Sequence, residues 1–376
     1  MKIAFFVQYC HEAGTYFRWH NLAKALALNG HVVHVYAGDF NYKAKKRIEN
    51  RNGIEYRIVP SLITSRIFGN PSDPITALYR SIQHVDNDYD VYHLFQPFLQ
   101  AFLPWYFLKF RKKGKFYYDW DDLWTGGIFQ RSTSLREWYT HKIVAFLEKS
   151  IPSLANSTTI CSSYLKNLLL STSNKNLLYN GFWPFSNEIK ANINQIFKKE
   201  NNNYYLGYIG KTAAELDWII DAAKLILPKY PSVRFIIVGP AFSQVLESGL
   251  LSISNMQYLG EVTPSEATLI ASSLDIGLLP LENTVFNQSR FPIKFFDYLS
   301  AGTPVYYSGI GELKQIGEKL NFVYEGGYSK NLWIEGLIQL VGEKIGETKP
   351  VIDIQQLNSI YSWQAIVAEL EKIYQS

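Results

Sequence analysis

Short apolar runs of strand length alternate with helical stretches along the chain, and this alternation strongly restricts the fold. The first run, Lys2 to Gln8, is largely apolar, as in a buried strand of a parallel sheet. A loop containing Gly14 follows, then a helical pattern from Phe17 to Leu28 that ends at Asn29-Gly30. A strand from His31 to Ala37 completes a βαβ unit. Further units of the same kind predict a doubly wound α/β sheet.

The alternation pauses in the middle of the chain and then begins again. Asn180-Gly181 and Pro184 mark turns, and a polar stretch extends to Asn203 before a new strand from Tyr205 to Gly210. The length of 376 residues is too great for one ordinary α/β core and sufficient for two. We therefore predict an α/β protein with two Rossmann-like domains that face each other across a cleft. Ligands are expected at the carboxyl ends of both sheets.

Composition and charge exclude several classes of protein. The net charge of +4 is too small to indicate nucleic-acid binding. Two cysteines, Cys10 and Cys161, are too few for a disulfide framework, which favours a reducing compartment. The N-terminal run lacks a signal-peptide pattern, and no apolar run approaches the roughly 18 residues of a membrane span. We expect a soluble cytoplasmic protein.

The segment from Leu279 to Val305 combines the features of an anion-binding site. A polar loop enters a helix at Pro292, and the first helical turn would present free backbone N–H groups with Lys294 beside them. Asp297 lies three residues further on and faces nearly the same side, where it would accept hydrogen bonds from a ribose diol. The residues therefore favour a diphosphate site, with an ordinary helix carrying a surface Lys–Asp pair as the alternative.

The same segment, Phe291-Pro-Ile-Lys-Phe-Phe-Asp-Tyr-Leu-Ser-Ala-Gly-Thr-Pro-Val305, resembles the nucleotide-sugar segment of family-4 GT-B glycosyltransferases. In that family the pattern is Pro-x-Lys-x-x-Glu-Tyr-x-Ala-x-Gly-x-Pro-Val, and its Glu holds the nucleotide ribose. Asp297 stands in place of that Glu. The family often has a second acid eight positions earlier, directed at the donor sugar. Here Ser289 occupies that position and Arg290 follows it, so the resemblance makes these two residues candidates for binding the donor.

Other stretches are similar to the same family in the same order. Gly14 lies where the family's first loop approaches the diphosphate and the transferred sugar. Lys211, after Gly207-Tyr-Ile-Gly210, matches a basic residue that meets the phosphates, with a solvated lysine as the alternative. The helix after Ser362 resembles one that crosses back onto the first domain. The resemblance thus implies an acceptor-binding domain (1–182 with 359–376) and a nucleotide-sugar domain (183–358).

Candidate catalytic residues follow two strands of the first domain. Asp121 and Asp122 occupy positions where the family commonly has His or His-Asp close to the transferred sugar. Adjacent acids would orient an acceptor hydroxyl or take up its proton, and they would equally suit a divalent cation or a helix cap. His93, in a segment resembling the family's Asp-x-x-His turn, is a third candidate, with a structural histidine as the alternative.

The segment 101–115 has an aromatic body and a basic end. This composition suits the surface of an anionic membrane. The simpler interpretation is a core-facing helix with cations at its C-terminus, where the helix dipole favours them.

Family resemblance implies a retaining hexosyltransferase of polysaccharide or cell-envelope synthesis. A nucleotide sugar, taken as UDP-hexose, would be the co-substrate, with no metal and no other cofactor. The acceptor would be a glycan or a lipid-linked glycan, and the enzyme would be cytoplasmic or peripheral at the inner face of the membrane. A sugar-nucleotide epimerase on the same fold and a non-catalytic relative that binds nucleotide or glycan are the alternatives.

Overall fold

A computed structural model describes most of the chain. The described residues are 1–12, 14–69, 72–83, 88–129, 132–169, 174–185, 199–200, 202–210, 215–240 and 255–376. Contacts divide the chain into two compact units. The first unit comprises Met1–Asn180, Ser289–Phe291 and Trp363–Ser376, and the second comprises Gly181–Gln288 and Pro292–Ser362.

The first unit contains an eight-stranded sheet with the order β3-β4-β2-β1-β5-β6-β7-β8. Neighbouring strands are parallel, except that β3 and β4 form an antiparallel hairpin. The order reverses at β1, which has β2 on one side and β5 on the other, so a ligand crevice is expected beside the carboxyl end of β1. The strands are β1 (Lys2–Tyr9), β2 (Val32–Asp39), β3 (Arg47–Arg51), β4 (Ile54–Pro60), β5 (Val91–Phe95), β6 (Lys115–Trp120), β7 (Ser157–Ile160) and β8 (Lys175–Leu177).

Helices connect these strands as the alternating pattern predicts. They are α1 (Tyr16–Leu28), α2 (Ser65–Phe68), α3 (Pro74–Gln83), α4 (Leu99–Lys109), α5 (Leu135–Leu154) and α6 (Ser163–Leu168). Because β5, β6 and β7 follow one another in the same direction across the sheet, right-handed crossovers place α3, α4 and α5 on one face. The contacts of α4 with both α3 and α5 agree with this arrangement.

The second unit contains a six-stranded parallel sheet with the order β11-β10-β9-β12-β13-β14. Its strands are β9 (Tyr204–Ile209), β10 (Val233–Val238), β11 (Met256–Tyr258), β12 (Ile276–Leu279), β13 (Val305–Ser308) and β14 (Tyr324–Gly326). Its helices are α7 (Leu216–Ile226), α8 (Pro264–Ser273), α9 (Val285–Ser289), α10 (Lys294–Ser300), α11 (Gly311–Gly317), α12 (Lys330–Lys344) and α13 (Ile354–Tyr361). Ser289, the last residue of α9, is grouped with the first unit.

The last helix, α14 (Trp363–Gln375), belongs to the first unit and packs against α1. Its Tyr374 hydroxyl lies 2.6 Å from His93 Nδ1, and its Glu371 carboxylate lies 2.8 Å from His31 Nε2. Trp363 is almost fully buried. These contacts make α14 part of the first unit's core. Among the described residues, no helix is both long and apolar enough to cross a membrane.

Candidate functional site

In the second unit, the predicted nucleotide-sugar segment folds as a loop, the helix α10 and a turn into β13. The N–H groups of Phe295 and Phe296 donate to the carbonyls of Pro292 and Ile293, so the first turn begins at Pro292 and the regular helix at Lys294. Gly302 ends the helix with a φ of +77°, a left-handed conformation that suits glycine. The helix boundaries thus agree with the sequence pattern to within about two residues.

The Lys294 ammonium lies at the carboxyl end of β9. Its Nζ atom is 3.1 Å from the Tyr208 hydroxyl and 4.7 Å from the centroid of the Tyr208 ring. A Cβ atom at Gly210 would lie only 2.0 Å from Lys294 Nζ. The ammonium therefore occupies a place that a residue with a side chain at position 210 would block. Lys211, the other predicted phosphate-binding lysine, lies outside the described residues.

Gly210→Ala provides a direct test of this close approach. The added methyl group would displace the Lys294 ammonium, and we expect UDP affinity to fall about tenfold, the value of one charge-assisted hydrogen bond. Isothermal titration with UDP measures the change. If Gly210 acts through Lys294, Gly210→Ala/Lys294→Ala should bind UDP no more weakly than Lys294→Ala alone. An additional loss in the double variant would contradict this explanation.

Tyr298 fixes α10 to the sheet of the second unit. Its buried hydroxyl accepts a hydrogen bond from the Ile209 N–H at 2.8 Å and donates to the Gly207 carbonyl at 3.2 Å. A Cβ atom at Gly277 would lie 2.4 Å from the Tyr298 ring, so glycine at this position of β12 admits the ring. Asp297, next to Tyr298, has an exposed side chain in the first helical turn. Lys294 and Asp297 are thus both presented by a helix that Tyr298 holds in place.

In the first unit, a buried arginine connects elements that are far apart in the sequence. The Arg18 guanidinium donates from Nε and Nη2 to the two carboxylate oxygens of Asp119, at 2.7 and 2.8 Å. It also donates to Asn180 Oδ1 at 3.0 Å and to the Leu178 carbonyl at 2.9 Å. Burial opposes the charge of Arg18, but Asp119 outweighs burial and raises the pKa of the guanidinium. Sequence reasoning missed this pair, although Arg18 lies only four residues after Gly14.

Asp121 and Asp122 follow β6, beyond the Arg18–Asp119 pair. Asp121 is buried, and its Oδ1 atom has no hydrogen-bond partner among the described residues. Burial, together with the charges of Asp122 and Asp119, raises the pKa of Asp121 well above its usual range. Asp122 is half-buried; burial raises its pKa, and Arg290 and Arg18 act in the opposite direction. Adjacent acids with perturbed pKa values are typical of functional sites.

The short segment Ser289–Phe291 belongs to the first unit, where two polar side chains hold its backbone. Ser162 donates from its hydroxyl to the Ser289 carbonyl at 2.5 Å, and Asn180 donates to the Phe291 carbonyl at 2.7 Å. Arg290 lies near enough to Asp122 to lower the pKa of that carboxyl, so two predicted site residues are neighbours. Ser289 is fully buried, and this placement does not support its predicted contact with the donor sugar.

His93 lies in the core of the first unit. It is fully buried, its Nδ1 contacts the Tyr374 hydroxyl, and its ring packs against Phe95. Burial lowers the pKa of His93 to about 4, so the imidazole is neutral near pH 7. The position fits the structural alternative rather than the catalytic prediction, because a substrate cannot reach a side chain with no exposed surface.

Gly14 lies in the turn before α1 with a φ of +58°. The next residue, Thr15, accepts a hydrogen bond from the side-chain amide of Gln96, which follows β5. Gln96 itself has a φ of +71°, a conformation uncommon for residues other than glycine. Its strained backbone at a strand end marks Gln96 as a further site candidate that sequence reasoning missed.

Among the described residues, one cluster of at least three potential metal ligands (His, Cys, Asp or Glu) has its ligand atoms within 4.8 Å of one another. It consists of Cys10, His11 and Asp39. Asp39 already accepts from Arg47 at 2.7 Å and from the Asn41 N–H at 2.9 Å. With both carboxylate oxygens engaged, this group is poorly suited to hold a cation. The predicted absence of a metal requirement stays a prediction.

Two sheets of mostly parallel strands, with candidate ligand residues at their carboxyl ends, are the architecture expected of the GT-B fold. Residues 203–341 match the family model described as Glycosyl transferases group 1. The predicted resemblance to GT-B glycosyltransferases and the predicted fold class are confirmed. Membership of family 4 in particular stays a prediction.

Individual relatives agree with this class. The chain is 29% identical over 241 residues to TuaH of Bacillus subtilis (strain 168), described as a teichuronic acid biosynthesis glycosyltransferase. The aligned region covers 61% of this chain and 59% of TuaH, so the chain matches less than two thirds of that relative.

Solved structures share the fold at low sequence identity. Sucrose-phosphate synthase from Thermosynechococcus elongatus has a TM-score of 0.74 and 14% identity, with 100% of this chain and 98% of that chain covered. HepE (Alr3699) from Anabaena, solved in complex with UDP and glucose, has a TM-score of 0.68 and 14% identity, with 100% and 99% covered.

Proposed function

We propose that this protein is a retaining glycosyltransferase that moves a hexose from a nucleotide sugar, UDP-hexose, to a glycan or lipid-linked acceptor. One observation carries the proposal. The segment that matches the glycosyltransferase family model includes α10, where Lys294 and Asp297 are presented together in the first turn. A cation beside a carboxylate suits a ligand that combines a diphosphate with a ribose diol.

Roles for the residues of the second unit follow from the charges of the reaction. As the bond from the anomeric carbon to the diphosphate breaks, negative charge accumulates on the departing phosphate oxygen. The Lys294 ammonium would stabilise that charge, and the Asp297 carboxylate would accept hydrogen bonds from the ribose hydroxyls. Lys211 stays a predicted second phosphate ligand. The glucose and UDP bound by HepE support a UDP-sugar donor.

The adjacent acids of the first unit, Asp121 and Asp122, are proposed to act on the acceptor. A new bond forms between the acceptor oxygen and the anomeric carbon, and the acceptor hydroxyl must lose its proton. Asp121 and Asp122 would orient that hydroxyl, and an ionised member of the pair would take up the proton. Their raised pKa values favour this role, because a carboxylate of raised pKa is a stronger base than an ordinary aspartate.

The proposed class of acceptor is based on the relative TuaH and not on contacts at the candidate site. The name of TuaH refers to teichuronic acid biosynthesis, which supports a role in polysaccharide or cell-envelope synthesis.

The proposal also includes peripheral contact with the membrane through residues 101–115. Within that segment Phe102 and Trp105 are buried, as in the core-facing alternative, whereas Phe110, Arg111 and Lys113 at its end are exposed.

A thermal-shift screen against UDP, GDP, ADP and their hexose conjugates, followed by a turnover assay, tests the function. We expect UDP and UDP-hexose to raise the Tm. Asp297→Ala should reduce the rise with both ligands, whereas Lys294→Ala should mainly reduce the rise with UDP, whose terminal phosphate oxygen carries the charge that develops on the leaving group. Asp121→Asn and Asp122→Asn should keep the shift and lose transfer.

Each rival function has its own outcome in the same experiments. Formation of an epimerised sugar nucleotide without glycoside would indicate the epimerase. Binding of nucleotide without turnover of any sugar nucleotide would indicate the non-catalytic relative. No Tm shift with any nucleotide sugar would contradict the donor site at α10.

A further inference from the structure

One face of the first unit carries an unusual concentration of exposed apolar side chains. Along α5, Leu135, Trp138 and Phe146 are 84%, 52% and 66% exposed. At 100° per residue these three positions lie within about 80° of one another on the helix surface. The opposite side of α5 is buried and includes Val144 and Ile151. The exposed residues therefore lie along one side of α5, which points away from the sheet.

The neighbouring helices extend this side of α5 into a surface, here called the α3–α5 face. The helices α3 and α4, with the residue that follows α4, also expose large apolar side chains, namely Ile75, Leu78, Ile82, Phe107 and Phe110. By contrast α14, whose residues are all described, exposes none of its large apolar side chains. Because α3, α4 and α5 lie on the same side of the sheet and α4 packs against both others, their outer sides form one face.

The α3–α5 face is also basic. Exposed cations on it or at its edge are Arg111, Lys113, Lys142 and Lys149. Lys142 and Lys149 lie on the same side of α5 as its exposed apolar residues, and the Lys142 ammonium is 6.0 Å from the centroid of the Trp138 ring.

The acids of α5 do not neutralise these cations. Glu148 is buried and accepts hydrogen bonds from Trp120 and Trp124, while Glu137 accepts from Thr133 at the start of the helix. Asp88, near the end of α4, is paired with Lys112. The surface that remains combines aromatic and aliphatic side chains with positive charge.

We infer that the α3–α5 face docks the protein onto an anionic lipid bilayer. Trp138, Phe146 and Phe110 would enter the interfacial layer, where aromatic rings are favoured, and the lysines and arginines would contact anionic headgroups. The surface includes the end of the predicted 101–115 contact but has its largest part on α5. A second copy of the chain fits less well, because two such faces would bring like charges together.

Co-sedimentation of the full chain with vesicles tests the inference without any substrate, so its result is independent of the proposed transferase activity. Vesicles of phosphatidylcholine alone are compared with vesicles of equimolar phosphatidylcholine and phosphatidylglycerol. We expect binding to the anionic vesicles only, weakened by added salt. Trp138→Gln/Phe146→Gln and Lys142→Glu/Lys149→Glu should each reduce the partition coefficient about tenfold or more.

Leu332→Gln is the matched control, because Leu332 is an exposed leucine on α12 in the second unit. It should bind anionic vesicles as the unchanged chain does, and circular dichroism should show all variants folded. Equal binding by the α5 variants, or no binding by the unchanged chain, would overturn the inference. A concentration-dependent dimer that the α5 variants abolish, without vesicle binding, would assign the face to a second copy instead.

Discussion

Arg18→Met is expected to lower the free energy of unfolding by about 3–5 kcal/mol, the usual cost of removing one partner of a buried ion pair. Both Arg18 and Asp119 are almost completely buried, so the Asp119 carboxylate would remain in the interior without its counter-charge. Asn180 Oδ1 and the Leu178 carbonyl would lose a donor as well. Such a loss is a large part of the roughly 5–15 kcal/mol that stabilises a typical protein. Urea unfolding followed by tryptophan fluorescence measures it.

Three further variants separate the ion pair from general disruption of the core. Arg18→Met/Asp119→Leu removes both charges and should recover most of the lost stability, because no uncompensated charge remains. Arg18→Lys should give an intermediate loss, since an ammonium cannot reproduce the two-pronged contact with Asp119. Arg111→Met, at an exposed arginine, should change stability by less than about 0.5 kcal/mol. If Arg18→Met lowered the free energy of unfolding as little as Arg111→Met, the buried Arg18–Asp119 pair would not contribute appreciably to stability.

The regular elements of the fold were largely predictable from local pattern. The predicted strand from Lys2 to Gln8 is β1, which ends one residue later, and the predicted helix from Phe17 to Leu28 is α1, which begins one residue earlier. These elements are continuously apolar or clearly amphipathic, so local pattern and tertiary burial agree. The strand β3, and with it the hairpin that it forms with β4, was not predicted because Arg47–Arg51 is mostly polar. A signal was present in Asn52-Gly53, whose φ values of 55° and 79° suit a tight hairpin turn.

The candidate site was predictable only where its residues form a local motif. Lys294 and Asp297 share one helical turn, so their spacing alone placed them together. The partner of Arg18 lies 101 residues away in the sequence, and nothing in the pattern of α1 indicates that this arginine is buried. His93 shows the converse case. Its motif resembles a catalytic turn, but the histidine lies in the middle of β5, is fully buried and contacts the Tyr374 hydroxyl from a helix 281 residues further along the chain.

Lys294→Ala is expected to reduce kcat/KM for transfer about 10²–10³-fold, the usual effect of removing one preorganised group that stabilises developing charge. The ammonium is half-buried beside Tyr208, which holds it in place before substrate binds. Steady-state assays with UDP-hexose measure the effect. Lys319→Ala is the control, because Lys319 is an exposed lysine of the same unit and should leave kcat/KM unchanged.

The division of this loss between kcat and KM identifies when Lys294 acts. If the ammonium mainly meets charge that develops on the departing phosphate, kcat falls and KM changes little. If it binds the diphosphate equally in the ground state and the transition state, KM rises and kcat is preserved. We expect the first result, since a bound nucleotide sugar gains negative charge on the leaving oxygen only as its glycosidic bond breaks. Lys294→Arg should recover part of kcat, limited by the space beside Gly210, and loss confined to KM would contradict the leaving-group role.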